Sequence, residues 1–167
     1  DGGLSVLAMA NGDFETWSSY TNSPAEISSW GVSIGAQTKI FGNFDLSANY
    51  TKSKLEFEQD LYPDFRTNWN TPEHKIKAQF GNTSLFENFG FNVAWRYWSE
   101  YLWQASFGDG MVPETHVLDA QINLTVPKWK STIKVGATNL GGEEYFTAFG
   151  SGFIGTQYYI SWTANNF

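Results

Sequence analysis

Apolar and polar residues alternate along several stretches of about ten residues, a pattern typical of β-strands with two different faces. The clearest stretch has apolar residues at the even positions of 118–126 and polar residues at the odd positions between them. A short polar turn at 127–130 follows, and the alternation then resumes with Ile133, Val135 and Ala137. This pattern predicts two long antiparallel strands that are joined by a tight turn.

The same alternation recurs along the chain and predicts about eight strands, with no stretch that has the pattern of a helix. The first of these strands is irregular, because apolar residues occur on both of its faces. The predicted strands cover residues 4–11, 29–40, 44–51, 74–81, 91–98, 116–126, 132–138 and 158–164. The fold class that follows is all-β, with antiparallel neighbours.

From the second strand onward, short and long connections alternate along the chain. The short ones cover 41–43, 85–90 and 127–130, and the long ones cover 59–71, 100–114 and 140–155. Antiparallel strands with tight turns at one end and long loops at the other are typical of outer-membrane β-barrels. Aromatic residues also concentrate near both ends, as they do at the two interfaces of a membrane. We therefore expect the short turns in the periplasm and the long loops at the cell surface.

A soluble antiparallel barrel or sandwich would show the same alternation, with its apolar face buried in a core. Here the polar face consists mostly of Gly, Ser, Thr, Asn and Gln, with few charged residues to solvate a free surface. The membrane interpretation is therefore favoured over a soluble β-barrel that carries a ligand. A complete eight-stranded outer-membrane barrel with a structural or adhesion role is a further alternative, although a narrow barrel normally fills its interior with larger side chains.

Composition narrows the function classes. The 167 residues are 41% hydrophobic and 18% aromatic, with eight Trp, and only 16% are charged. The net charge of -7 argues against nucleic-acid binding, because no basic stripe is available to neutralise phosphates. The chain has no cysteine, so it can form neither a disulfide nor a thiolate metal site. No apolar run approaches the roughly 18 residues that a membrane-spanning helix needs.

Residues at alternate positions of each predicted strand share one face, and we expect the apolar face to contact lipid. The side chains that this assigns to lipid are Val32, Ile34, Leu46, Val93, Ile122, Leu124, Ile133, Val135, Ile160 and Trp162. A second set of aromatic residues lies near the long loops and could stack on a ligand. This set contains Trp98, Tyr101, Trp103, Tyr145, Phe146 and Phe149. An interfacial girdle is the favoured interpretation of the second set, and the identity of a ligand does not follow from the sequence.

Motifs for other chemistry are weak. The glycines of 150–155 match a dinucleotide fingerprint, but no predicted helix follows them to hold a phosphate. His74 and His116 each begin a strand after a long loop, where interfacial residues are expected more often than metal ligands. Glu143 and Glu144 suit a solvated pair better than an acid and base couple. We therefore predict neither an enzyme nor a metal site, and no cofactor.

Four short segments, taken in order, resemble the closing strands of TonB-dependent receptors. They are Asn-Thr-Pro-Glu-His-Lys at 70–75, Val-Leu-Asp-Ala-Gln-Ile at 117–122, Thr-Asn-Leu at 138–140 with Glu-Tyr at 144–145, and Tyr-Tyr-Ile-Ser-Trp at 158–162 before the final Phe167. The resemblance covers most of the chain from about Ser29 onward, and the order of the segments is its specific part.

The resemblance implies a barrel of about 22 strands around an N-terminal plug, located in the outer membrane of Gram-negative bacteria. Such receptors import a scarce nutrient, such as a siderophore, cofactor, glycan or peptide, with energy from a periplasmic TonB-type protein. Residues 1–167 resemble the C-terminal part of such a barrel without the plug. The partners that this implies are outer-membrane lipid, the rest of the barrel and the plug, a TonB-type protein through the missing N-terminal region, and a small nutrient ligand. Phe167 is out of phase with Ile160 and Trp162, which predicts a bulge or a frayed end at 164–166.

Overall fold

Nine strands account for most of residues 25–164, the part of the chain that the computed structural model describes. The strands are β1 (Ser28–Ile40), β2 (Phe44–Glu56), β3 (His74–Phe86), β4 (Phe89–Trp98), β5 (Tyr101–Ala105), β6 (Gly108–Val112), β7 (Thr115–Val126), β8 (Ser131–Thr138) and β9 (Gln157–Ala164). Single turns of 3-10 helix occur at Gln59–Leu61 and Pro127–Trp129. Among the described residues, no helix is long and apolar enough to cross a membrane. The all-β fold class predicted from the alternation is confirmed.

Seven of these strands form one antiparallel sheet in the order β1-β2-β3-β4-β7-β8-β9, which we call the main sheet. The remaining two, β5 and β6, pair only with each other and form a hairpin between β4 and β7. Strands β1 and β9 are the edges of the main sheet, and within residues 25–164 they do not pair with one another. The predicted strand at 4–11 and the predicted irregularity before Phe167 lie largely or wholly outside the described residues.

The pairing register gives the main sheet an apolar face and a polar face. Ile122 lies opposite Val135, which in turn lies opposite Ile160 on the next strand. One residue earlier on β7, Gln121 lies opposite Gly136. Because side chains alternate between the two sides of a strand, every side chain that the sequence assigns to lipid falls on the same face as Ile122. Contact of that face with lipid stays a prediction.

The apolar face is open rather than covered. Ile34 is 69% exposed and Ile160 is 76% exposed. The hydrophobic residues buried in the described part of the chain are only Val112, Val117, Ala137 and Tyr145. A soluble sandwich would bury such a face against a second sheet, and no described element does so.

Phenylalanines gather on the apolar face beside the short turns, as the sequence predicts. The rings of Phe44 and Phe80 are stacked with their centroids 5.4 Å apart, and Phe91 meets Phe80 edge-on at 5.6 Å. Phe86 and Phe89 contact each other across the turn between β3 and β4, at 6.3 Å. This end of the sheet is therefore held by ring packing between neighbouring strands.

The predicted connection at 85–90 is wrong in its bounds. Strand β3 continues to Phe86 and β4 already begins at Phe89, so the turn between them is much shorter. The pairing register shifts between Asn82 and Phe86, which marks a β-bulge. A bulge interrupts the alternation with a period of two, so the sequence pattern does not show that β3 continues to Phe86.

The predicted loop at 100–114 is also wrong, because it contains the hairpin of β5 and β6. Trp103 on β5 lies opposite Gly110 on β6. Two glycines and several polar residues interrupt the alternation in this stretch, so its pattern resembles that of a loop. The long connection at 140–155 remains irregular, apart from one isolated bridge between Tyr145 and Ile154.

Candidate functional site

The aromatic residues proposed as ligand contacts come from three elements that meet beyond one end of the main sheet, which we call the loop end. Trp98 is the last residue of β4, and its ring meets that of Tyr145 edge-on at 5.4 Å. Tyr101 and Trp103 lie on β5 with their ring centroids 6.5 Å apart. The hydroxyl of Tyr101 donates a hydrogen bond of 2.7 Å to the carbonyl oxygen of Thr147. The connection at 140–155 is thus attached to both β4 and β5.

The two phenylalanines of that connection have different neighbours. The ring of Phe149 lies directly against Gly110 on β6, where a larger residue would leave no room for it. Phe146 instead meets Phe153 of its own connection edge-on, with the ring centroids 5.5 Å apart. Among the proposed aromatic residues, Phe149 therefore packs against the hairpin that carries Tyr101 and Trp103. Trp98 and Tyr145 contact each other, and Phe146 makes its ring contact elsewhere.

The proposed residues also differ in how far a ligand can reach them. Tyr145 is buried, with 8% of its surface exposed, so its ring serves to hold Trp98 and the connection in place. Tyr101 is partly exposed, and burial raises the pKa of its phenol above the usual value. The phenol therefore stays protonated near neutral pH and can keep donating its hydrogen bond to Thr147.

The hairpin is held from the other side by the connection between β2 and β3. Asn70 exchanges two hydrogen bonds with the backbone of Gln104, of 2.6 Å and 2.9 Å. Arg66 forms an ion pair of 3.1 Å with Asp109 on β6. Asn70 has a φ of +44°, a left-handed conformation that asparagine tolerates better than most residues. The hairpin is thus fixed between two connections.

A chain of polar contacts joins the polar face of the main sheet to the connection at 140–155. One carboxylate oxygen of Asp119 accepts a hydrogen bond of 2.8 Å from the Arg96 guanidinium, and the other accepts one of 3.0 Å from the backbone N–H of Asn139. The Asn139 side chain is buried, and its amide donates 2.9 Å to the carbonyl oxygen of Glu143. Asp119 therefore orients Arg96 and holds the start of the connection at once.

Lys75, Lys77 and Arg96 place three cations close together on the polar face at the loop end. Lys77 lies directly opposite Arg96 on the neighbouring strand, and Lys75 lies opposite Trp98. These residues line a cavity of about 250 Å³ together with Trp98 and Tyr101. We call this cavity and its lining the loop-end pocket.

The sequence predicts strands around Lys75 and Asp119 and carries the family resemblance there, but it does not identify the cations of the loop-end pocket. A signal was present, since Lys75 and Lys77 are two residues apart and therefore share a face of β3. Their proximity to Arg96 depends on the register between β3 and β4, which the alternation alone does not give.

The two histidines lie on the apolar face, outside the loop-end pocket. His74 Nδ1 is 2.8 Å from the hydroxyl of Tyr50, and the rings of this pair are stacked. His116 packs against Tyr97 with the ring centroids 4.8 Å apart, and against Trp95 at 5.8 Å. Within the described ranges, no group of three or more His, Asp or Glu side chains is placed to hold a metal ion.

Comparison with known proteins gives a structural match only. No protein-family model and no curated protein matches the sequence. The fold is similar to that of the siderophore receptor PiuA from Acinetobacter baumannii, with a TM-score of 0.60 and 17% sequence identity. The match covers 84% of this chain and 20% of the receptor chain. The described strands therefore have the fold of a segment of that receptor, and the chain spans about a fifth of its length.

Proposed function

We propose that this chain forms part of the barrel wall and the extracellular loops of a TonB-dependent receptor in the bacterial outer membrane. The receptor takes up a small nutrient, such as a siderophore, cofactor, glycan or peptide. The observation that carries the proposal is the fold of the main sheet, which is similar to a segment of a siderophore receptor at a TM-score of 0.60. The proposal includes no catalytic step.

The two faces of the main sheet support a place in the outer membrane. Large apolar side chains such as Ile34, Ile160 and Trp162 are each more than two-thirds exposed on one face. Contact with lipid tails would account for them, because hydrocarbon is the solvent in which such a face is stable. The opposite face carries polar side chains and would surround the interior of the barrel.

The unpaired edges of the main sheet support the proposal that further strands belong to the barrel. Backbone N–H and C=O groups that point away from a sheet edge have no hydrogen-bonding partner in lipid, which is costly. Since β1 and β9 are not paired with one another within residues 25–164, we propose that other strands of a larger barrel pair with them. The plug and the contact with a periplasmic TonB-type protein would belong to the same receptor, outside the described strands.

The sidedness of the sheet provides the test. The chain has no native cysteine, so single cysteines can be introduced at Phe107, in the tip of the β5–β6 hairpin, and at Asn43, in the turn between β1 and β2. We expect a membrane-impermeant maleimide to label Phe107→Cys on intact cells and to label Asn43→Cys only after the outer membrane is permeabilised. Labelling of Asn43→Cys alone would invert the topology, and labelling of neither in the membrane fraction would remove the proposal.

The complete small barrel makes a different prediction for the edges. If β1 and β9 close a barrel by themselves, cysteines at Gly35 on β1 and Ser161 on β9 would come close enough to be linked by a short bifunctional reagent. In the larger barrel they are separated by the remaining strands and stay unlinked. Efficient cross-linking within one refolded chain would therefore replace the receptor proposal by the small-barrel alternative.

A further inference from the structure

The charges on the polar face are distributed unevenly. The whole chain has a net charge of -7, yet Lys75, Lys77 and Arg96 converge at the loop-end pocket. Asp119 is the carboxylate that pairs with Arg96, at 2.8 Å. Among the described residues, neither Lys75 nor Lys77 forms an ion pair. The pocket therefore holds an excess of positive charge in an acidic protein.

The pairing register brings two of these cations together, because Lys77 lies directly opposite Arg96 on the adjacent strand. Like charges in directly opposite positions of a sheet repel each other. Asp119 forms its ion pair with Arg96 and accepts the backbone N–H of Asn139 with its other oxygen, and among the described residues it forms no ion pair with Lys77. An anion placed between Lys77 and Arg96 would remove the repulsion and would receive charge-assisted hydrogen bonds from both side chains.

We propose that Lys75, Lys77 and Arg96 bind a carboxylate group of the transported nutrient, with an aromatic or other planar part of it against Tyr101 and Trp98. This inference rests on the proposed function and names the chemical class of the ligand. The arginine supplies the forked pair of donors that suits a carboxylate, and the two lysines supply mobile point charges.

The aromatic part of the pocket is fixed before a ligand arrives. Tyr101 is held by its hydrogen bond to Thr147, and Trp98 is held by the ring of Tyr145. Side chains that are already ordered lose little conformational entropy when they bind. A volume of about 250 Å³ is at the small end for a ligand site, so the loop-end pocket takes one charged end of a larger molecule.

The rest of the ligand can extend from the loop-end pocket along the polar face. Lys77 and Arg96 also line a second depression on the polar face, of about 360 Å³, together with Asn49 and Gln79. This depression lies further from the loop end, and its lining combines polar side chains with alanines and Trp95. It therefore offers both polar and apolar contacts to the remainder of the ligand.

Benzoate and benzamide provide a matched pair of probes, because they share a ring and nearly the same size but only benzoate is charged. We expect the purified protein in detergent to bind benzoate saturably, as measured by ligand-detected NMR, and to bind benzamide at least about tenfold more weakly. Added salt should weaken the binding of benzoate, since the attraction is between charges near solvent.

Variants locate the binding within the protein. The double variant Lys75→Gln/Lys77→Gln should weaken benzoate binding about tenfold or more, whereas Lys77→Arg should retain most of it. Lys134→Gln is the matched control, because Lys134 is an exposed lysine on the same face but lies near the other end of the sheet. Equal binding of the two probes, no saturable benzoate binding, or an equal loss in Lys134→Gln would overturn the proposed site.

The result of the benzoate experiment can be distinguished from the result of the cysteine labelling that tests the proposed function. Benzoate binding in detergent needs neither a TonB-type partner nor an intact membrane, while cysteine labelling on cells needs no ligand. Correct sidedness without benzoate binding would remove only the carboxylate site. Benzoate binding by a chain that fails the labelling test would keep the site and remove the receptor.

Discussion

The two faces of the main sheet differ in what keeps their side chains in place. On the apolar face, residues such as Ile122, Val135 and Ile160 lie side by side and are exposed. On the polar face, individual pairs are hydrogen bonded, for example Gln79 with Asn92 at 2.7 Å and the hydroxyl of Tyr159 with Gln121 at 2.8 Å. Any apolar side chain is compatible with the apolar face, whereas the hydrogen bonds of the polar face depend on the identity of both partners.

The sharpest test of this difference substitutes neighbouring residues on β7. Ile122→Arg places a charge on the apolar face and should lower the free energy of unfolding by about 2 to 4 kcal/mol if that face meets the middle of the bilayer. Gln121→Arg should cost only about 1 kcal/mol, since it loses the hydrogen bond from Tyr159 but keeps a polar environment. Urea titrations of the refolded protein in lipid vesicles measure both. Equal costs, or the larger one at Gln121, would contradict the assignment of the faces.

A second test compares two carboxylates that both lie on the polar face. Asp119→Ala removes the partner of Arg96 and of the Asn139 backbone, and should cost about 2 kcal/mol. Asp45→Ala removes an exposed ion pair with Lys39 and should cost less than about 0.5 kcal/mol. Unfolding titrations of the two variants give the comparison. A cost for Asp45→Ala as large as that for Asp119→Ala would mean that the polar contacts of this face do not differ in strength.

A third test concerns the contact between the hairpin and the connection at 140–155. Tyr101→Phe removes the hydrogen bond to Thr147 and should weaken protection of the nearby amides from hydrogen exchange by about 1 kcal/mol. Tyr158→Phe is the control, because Tyr158 is 77% exposed on the apolar face. Unchanged protection in Tyr101→Phe would show that other contacts hold the connection.

The smallest expected effect is a pH dependence of the hydrogen bond between Tyr101 and Thr147. Burial raises the pKa of the Tyr101 phenol, so the folded state binds its proton more tightly than the unfolded state does. The contribution of this group to stability is therefore fully present below the ordinary tyrosine pKa of about 10 and is lost as the pH rises through the raised value. Hydrogen exchange near Thr147 should show this alkaline loss in the parent protein. Tyr101→Phe should lack that component, and an identical alkaline profile in both proteins would assign it to another group.

The sequence predicts one face well and the other poorly, for a physical reason. Exposure of Ile122 or Ile160 on a common face follows from the period of two alone, because any register that preserves parity gives the same result. The Arg96–Asp119–Asn139 contacts require the exact partner of each residue across β4, β7 and the following connection. For the same reason, the alternation does not predict that Lys75 and Lys77 line a pocket with Arg96.

The errors in the predicted elements have local causes. The bulge after Asn82 interrupts the alternation at the end of β3, whereas Phe89 and Phe91 at the start of β4 keep it. Glycines at 108 and 110 removed the apolar pattern of β6, although Gly110 is the position against which Phe149 packs. Both features involve close approaches of the backbone, which period-based reasoning does not detect.

The order of strands in the main sheet has a consequence for how the chain folds. Each strand pairs with the next one along the chain, and the β5–β6 hairpin is the one interruption among the described strands. Partners that are close in sequence lose little entropy on meeting, so the sheet can grow by adding one strand at a time without a search for distant partners. Until the next strand arrives, the newest strand exposes an unpaired edge that can equally accept a strand from another copy of the chain. Delayed addition of strands during assembly therefore favours aggregation at those edges.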